Sequence, residues 1–307
     1  MSPLRRALAG YLAVRRSLGY KLARAEKLLA QFITYLEEAG AATVTTDLAV
    51  AWATLPGGDA NWHAHRLGVV RGFAAYLHTI DPAAEIPPAG LIPARPRRAT
   101  PYLYSDADIA ALIAAVASLR FPLRAATYQT LIGLLAVTGM RVGEAIRLDG
   151  ADLDLAAGVV TVRQSKFGKS RLLPLHPSTT AALRGYLRLR DRVCPRPRTA
   201  AVFISPAGTR LLYCNVHATW KLLVASAGLH ARSAACRPRI HDVRHSFAVR
   251  SLLDAYATGQ DGQARLALLS TYMGHADPSH TYWYLSAAPE LLALAGQRLE
   301  GHLASRP

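Results

Sequence analysis

Val159-Val160-Thr161-Val162-Arg163-Gln164, the turn Ser165-Lys166-Phe167-Gly168-Lys169-Ser170, and Arg171-Leu172-Leu173-Pro174-Leu175 make one continuous run. β-Branched residues fill its first part and leucines its last, with glycine and lysines between them. That pattern predicts two antiparallel strands, 159–164 and 171–175, joined by a short turn. No other segment reads convincingly as strand. Elsewhere the apolar residues recur at helical spacing, so the chain is predicted to be mainly α with one small antiparallel β-sheet. Lys166 stands in the turn, from which a side chain can reach a substrate, although a lysine there is more often merely solvated.

Working outward, Ser105-Asp-Ala-Asp is a helix start for a segment reaching Ala117. A second helix spans Leu123 to Val137 and stops at Gly139. Beyond the hairpin, helices are predicted near 178–190, 215–227, 241–256, 264–273 and 288–300. The first 80 residues read as a separate helical group. Its helices run from Leu4 to Leu18, through the stripe Ala25, Leu28, Leu29, Phe32, Ile33 and Leu36, from Thr46 or Asp47, and through Leu67, Val70, Phe73, Ala74 and Leu77. Arg66 and Arg71 are expected to turn away from that last stripe.

Between the two groups lie Pro82, Pro87, Pro88, Pro93, Pro96 and Pro101, with Arg95, Arg97 and Arg98 among them. Repeated prolines favour an extended connection over a helix. The predicted organisation is a helical domain over 1–85, a Pro/Arg-rich linker over 86–101 and a larger domain over 102–307.

The chain has 307 residues, half of them apolar, and a formal net charge of +16. Both halves are basic, and arginine far outnumbers lysine, which suits planar, bidentate contacts to phosphate on a long polyanion. Charge alone fits an unspecialised basic protein equally well. Cys194, Cys214 and Cys236 have no metal-binding spacing and leave an odd count, so they read as free thiols in a reducing compartment. With no apolar run of signal or membrane-spanning length, the expected location is the cytoplasm.

Three further clusters have chemical potential. Thr138-Gly139-Met140-Arg141-Val142-Gly143-Glu144 places an arginine after a helix end, with a glutamate one turn on that can orient a guanidinium. An Arg near a Glu is usually a surface ion pair. His241-Asp242-Val243-Arg244-His245 spaces His241 and Arg244 for one helix face, though such a pair is common in an Arg-rich chain. Gly274-His275 is followed by Tyr282-Trp283-Tyr284-Leu285, and a tyrosine is ordinarily a half-buried packing residue. Cleavage of a phosphodiester by a side chain needs three things. A tyrosine of unperturbed pKa near ~10 must lose its proton; two arginines can hold the added phosphate charge; and a lysine or histidine can protonate the leaving oxygen. Singly, each cluster favours its ordinary explanation. Their joint order and spacing favour the chemistry.

In that order and spacing the chain resembles the tyrosine recombinase (phage integrase) family over nearly its full length. Thr138 to Glu144 looks like the first arginine motif, Lys166 to Leu175 the β-hairpin lysine motif, and His241-Asp-Val-Arg244 the HxxR box. Gly274-His275 with Tyr284 nine residues later is similar to the family's last histidine and nucleophile, which selects Tyr284 over Tyr282. The resemblance implies a two-domain fold, a helical core-binding domain followed by an α+β catalytic domain. It implies Arg141, Lys166, His241, Arg244, His275 and Tyr284 as catalytic residues, with neither cofactor nor metal. Tyr284 would form a 3′-phosphotyrosyl bond, and strand exchange would pass through a Holliday junction. The implied partner is double-stranded DNA, bound by a homo-tetramer or a paired recombinase, with no membrane. The apolar segment 286–307 would dock on a neighbouring subunit or pack on its own domain. A type IB topoisomerase, and a DNA-binding regulator that has lost catalysis, are the competing readings. The segment 252–269 looks longer than in compact members of the family.

Overall fold

A computed structural model describes residues 2–94, 99–163, 170–274 and 296. The chain divides into two compact units, Met1–Arg98 and Ala99–Pro307.

In the first unit, helices α1 (Pro3–Ser17), α2 (Ala23–Glu38), α3 (Thr46–Thr54) and α4 (Ala60–His78) follow one another. Ser2, Thr45 and Asp59 cap α1, α3 and α4 by accepting the N–H groups of Arg5, Leu48 and Trp62. The α2 stripe Leu28, Leu29, Phe32, Ile33 and Leu36 is buried in a core shared with Val70, Phe73, Ala74 and Leu77 of α4. Ala84 and Ile92 join the same core, so part of the proline-rich stretch packs on this unit.

Arg66 does not turn away from the α4 stripe as predicted. It is 7% exposed, its guanidinium lies 3.6 Å from the centre of the Trp52 ring, and its Nη2 donates to the Trp52 carbonyl at 2.7 Å. A guanidinium is planar and weakly hydrated, so an indole face can cover it where an ammonium would resist burial.

The second unit runs α5 (Asp106–Ala115), α6 (Pro122–Thr138), α7 (Val142–Arg147), β1 (Leu153–Asp154), β2 (Val159–Val162), β3 (Arg171–Pro174), α8 (Pro177–Val193), α9 (Tyr213–Ser226), α10 (Asp242–Ala257) and α11 (Gly262–Met273). Ser105 and Asp108 cap α5 reciprocally. The sheet is antiparallel in the order β1-β2-β3, with Val159 opposite Pro174 and Val162 opposite Arg171. Val160 and Val162 point into the core while Val159 and Thr161 are half-buried, as a one-faced strand requires. The architecture is therefore mainly α with a small antiparallel sheet. The sequence reading lacked β1 and α7, two and six residues long, too short to display a period. The predicted helix at 288–300 falls outside the described residues, apart from Gly296.

The segment 252–269 comprises the end of α10, a turn and most of α11. It builds a small apolar cluster of Ala248, Val249, Leu252, Leu266, Leu269 and Met273. Leu103 packs against this cluster, and residues 100–104 are fastened along the approach to α10 and to α10 itself. Tyr104 N–H donates to Ser246 Oγ at 2.7 Å and its hydroxyl to the Arg239 carbonyl at 3.2 Å. Arg232 reaches the Leu103 carbonyl and Arg239 the Thr100 carbonyl. All three cysteines are free. Among the described residues no helix is long and apolar enough to cross a membrane.

Candidate active site

The site is assembled where α6 ends against α10. Gly139 closes α6 in the left-handed conformation at φ 59°, and a Cβ there would lie 2.3 Å from Cδ1 of Phe247. Only a glycine allows both the turn and the close approach. That approach brings the Gly139 carbonyl to Arg244, whose Nη1 donates to it at 2.7 Å while Nη2 donates to the Met273 carbonyl at 2.6 Å. Arg244 is 2% exposed. One guanidinium thus ties the end of α6, the start of α10 and the end of α11 together.

Two residues past Gly139 the chain enters α7, with Arg141 as its N-cap. The Glu144 carboxylate accepts four hydrogen bonds: from Arg141 N–H at 2.9 Å, Arg141 Nη1 at 2.9 Å, Arg171 Nη1 at 3.2 Å and Arg171 Nη2 at 2.8 Å. Burial by itself would raise this carboxyl's pKa, but the hydrogen bond and charge of Arg171, and then Arg141, outweigh it and hold the pKa at about 2. Glu144 is therefore a buried, permanently ionised anchor for two arginines. Arg141 remains the more open of them, with 27% of its side chain exposed against 12% for Arg171.

His241 occupies the N-cap position of α10, makes no side-chain cap hydrogen bond there, and is exposed to solvent. The next residue, Asp242, is fully buried and gripped by both ends of the Arg239 fork, at 2.9 Å each. His245 Nε2 stands 3.9 Å from Asp242, and the His245 ring meets the His241 ring edge to face at 5.1 Å. Although solvent reaches His241, partial desolvation comes first in lowering its pKa, and Arg244 second; Asp242 opposes them, and Arg141 and Arg239 add to the lowering. Arg244 stands three residues after His241 and reaches the carbonyl of Gly139, two residues before Arg141, so the two arginine motifs are joined at the start of α10.

Lys166, His275 and Tyr284 lie outside the described residues. Their flanks are described: the chain leaves β2 towards Lys166 and returns at Arg171, and Gly274 precedes His275. Gly274 is left-handed at φ 67°, and a Cβ on it would lie 3.1 Å from Arg171 Nη1. Sequence reasoning gave Arg171 no role beyond its place in the hairpin motif. Its partners are distant along the chain, and the only available signal was a cation directly after the lysine turn. The Arg239–Asp242 pair was likewise missed. Among the described residues no group of three or more His, Cys, Asp or Glu side chains is placed to hold a metal ion.

Chemically, the cluster offers one buried and one half-open guanidinium beside a histidine whose neutral form is favoured. Such an arrangement can bind an oxyanion by charge-assisted hydrogen bonds and exchange a proton next to it. Comparison with known proteins points the same way. Residues 104–290 match the phage integrase family. The chain is 44% identical to the putative integrase/recombinase y4rB of Sinorhizobium fredii, over 98% of both chains. It is 33% identical to the tyrosine recombinase XerC of Azotobacter vinelandii, over 76% of this chain and 72% of that one. A Tn1549 transposon integrase, solved in complex with a circular intermediate DNA, shares the fold with a TM-score of 0.61 at 17% identity, over 95% of this chain and 99% of that one. The chain belongs to the phage integrase family and is a tyrosine-type site-specific DNA recombinase.

Proposed function

We propose that Tyr284 is the nucleophile and that Arg141, Lys166, His241, Arg244 and His275 serve it. The tyrosyl oxygen attacks the scissile phosphorus. The P–O5′ bond breaks as the P–Oη bond forms, leaving a 3′-phosphotyrosyl link and a free 5′ hydroxyl. Arg141 and Arg244 hold the non-bridging oxygens while the phosphorus is five-coordinate, Lys166 protonates the departing 5′ oxygen, and the two histidines assist proton transfer. The lowered pKa of His241 favours its neutral form, which can accept a proton. A 5′ hydroxyl from another strand reverses the step, so the bond energy is conserved and exchange proceeds through a Holliday junction.

The observation that supports this reading is the hydrogen bond from Arg244 to the carbonyl of Gly139, two residues before Arg141, which joins motifs about a hundred residues apart in sequence. Exposed Arg16, Lys21, Arg24 and Lys27 of the first unit would contact the DNA backbone. Exchange between two duplexes requires four strand cuts, which four subunits supply with one Tyr284 each, in a homo-tetramer or with a paired recombinase. The work would be done in the cytoplasm, on double-stranded DNA.

The test is a nicked suicide duplex carrying the protein's recombination site, analysed on a denaturing gel. The unmodified protein should form a covalent adduct and Tyr284→Phe none. An undiminished adduct in that variant would move the nucleophile elsewhere, with Tyr282 the next choice.

A further inference from the structure

The structure assigns to Arg171 the role of a positioning residue, one that sets the site by holding Arg141, through their shared Glu144, in register with the chain that leaves Gly274 for His275 and Tyr284. This rests on the functional reading above and adds to it a residue outside the six.

Three observations carry the inference. First, Arg171 is the first residue of β3 and so fixes the return point of the turn bearing Lys166. Second, its guanidinium makes two contacts of different kinds. One edge engages both oxygens of Glu144, at 3.2 and 2.8 Å, the carboxylate to which Arg141 is also bound through its backbone and its Nη1. The same group lies against Gly274, so closely that a Cβ there would sit 3.1 Å from Nη1 and 3.4 Å from Cζ. Third, the Arg171 Nε is buried without a hydrogen-bond partner among the described residues.

The third observation discriminates between roles. A buried ion pair adds little net stability over a well-packed apolar substitute, and a desolvated donor with no partner among the described residues adds nothing to it. A guanidinium retained under those conditions is explained by what it aligns. Its rigid fork fixes the Glu144 carboxylate in plane and direction, which in turn fixes Arg141. Its face meets the residue from which the chain continues towards the nucleophile. A lysine has the charge and lacks both the fork and the face.

Single-turnover cleavage of the suicide duplex at saturating protein separates positioning from binding. Arg171→Met should leave the half-saturating protein concentration within about threefold of the unmodified value, while the adduct forms about 10²-fold more slowly, the cost expected of a misplacement of order 1 Å. Arg171→Lys should recover part of that rate and fall short of the unmodified protein by about tenfold. A pH profile provides a readout that a merely structural role would not move. In the unmodified protein Glu144 is ionised across pH 5–8; without Arg171 its pKa rises, so the rate should fall as pH is lowered through that range. Equal rates and identical pH profiles for Arg171→Met and the unmodified protein would overturn the inference while leaving the recombinase reading intact. Should Arg171→Met fail to fold by circular dichroism, Arg171→Lys decides: an unmodified rate overturns the inference, and a slower rate at unchanged half-saturation supports it. Absence of any Tyr284-dependent adduct from the unmodified protein would instead strike the functional reading.

Discussion

Arg66 in the first unit and Arg244 in the second are both buried arginines that donate to backbone carbonyls, yet they do different work. Arg66 lies over Trp52, with Trp62 at 6.0 Å, and spends its hydrogen bond within its own helical group. It acts as a packing residue with a charge. Arg244 joins the ends of two helices to its own and stands close enough to His241 to alter its proton affinity. The contrast teaches that burial of a cation says little by itself. What the cation ties together, and which titrating group feels it, separates a core residue from a candidate catalytic one.

Mutation can break that comparison. Replacing Arg244 by Ala should lower suicide-substrate cleavage by about 10²–10³-fold, the loss typical of one preorganised donor to a developing oxyanion. DNA affinity, set by many backbone contacts, should change far less in a gel-shift titration. Proportional loss of binding and cleavage would make Arg244 a structural tie like Arg66. The next largest effect concerns the joint on which Arg244 depends. Gly139→Ala combines left-handed strain with a collision against Phe247 and should cost roughly 2–4 kcal/mol. Thermal unfolding would show it, and Phe247→Leu in that background should restore part of the loss. An unchanged melting temperature would mean that α6 and α10 are not pinned there. Arg66→Met should be mildest, about 1 kcal/mol for leaving the Trp52 carbonyl unbonded, with the cleavage rate at saturating DNA unaltered. A slowed rate there would erase the distinction between the two arginines.

The legible parts of the fold were those with a period long enough to read. The α2 stripe and the alternation in β2 are one-dimensional signals of burial, and the structure buries Leu28, Leu29, Phe32, Ile33, Leu36, Val160 and Val162, leaving Ala25 half-buried. Helix α7 and strand β1 were not legible because a six-residue helix and a two-residue strand owe their form to neighbours rather than to a pattern. Side-chain direction was harder still. Arg66 has the composition of a surface residue, and only the indole across from it, fourteen positions earlier in the chain, makes its burial tolerable. At the candidate site, the residue types and their order were visible in the motifs around Arg141 and Arg244. The supporting bonds were not, since Arg171 to Glu144 and Arg244 to Gly139 span 27 and 105 residues. Backbone carbonyls, moreover, carry no sequence signature.

The stitching of residues 100–104 to the approach and first turns of α10 has a mechanical corollary. The first residues of the second unit run beside helix α10 and are bolted there by Tyr104 and Ser246. Tyr102 and Tyr104 are at once the fastening and part of the second core, so loosening this entry segment would disturb the main apolar cluster and the approach to α10 together.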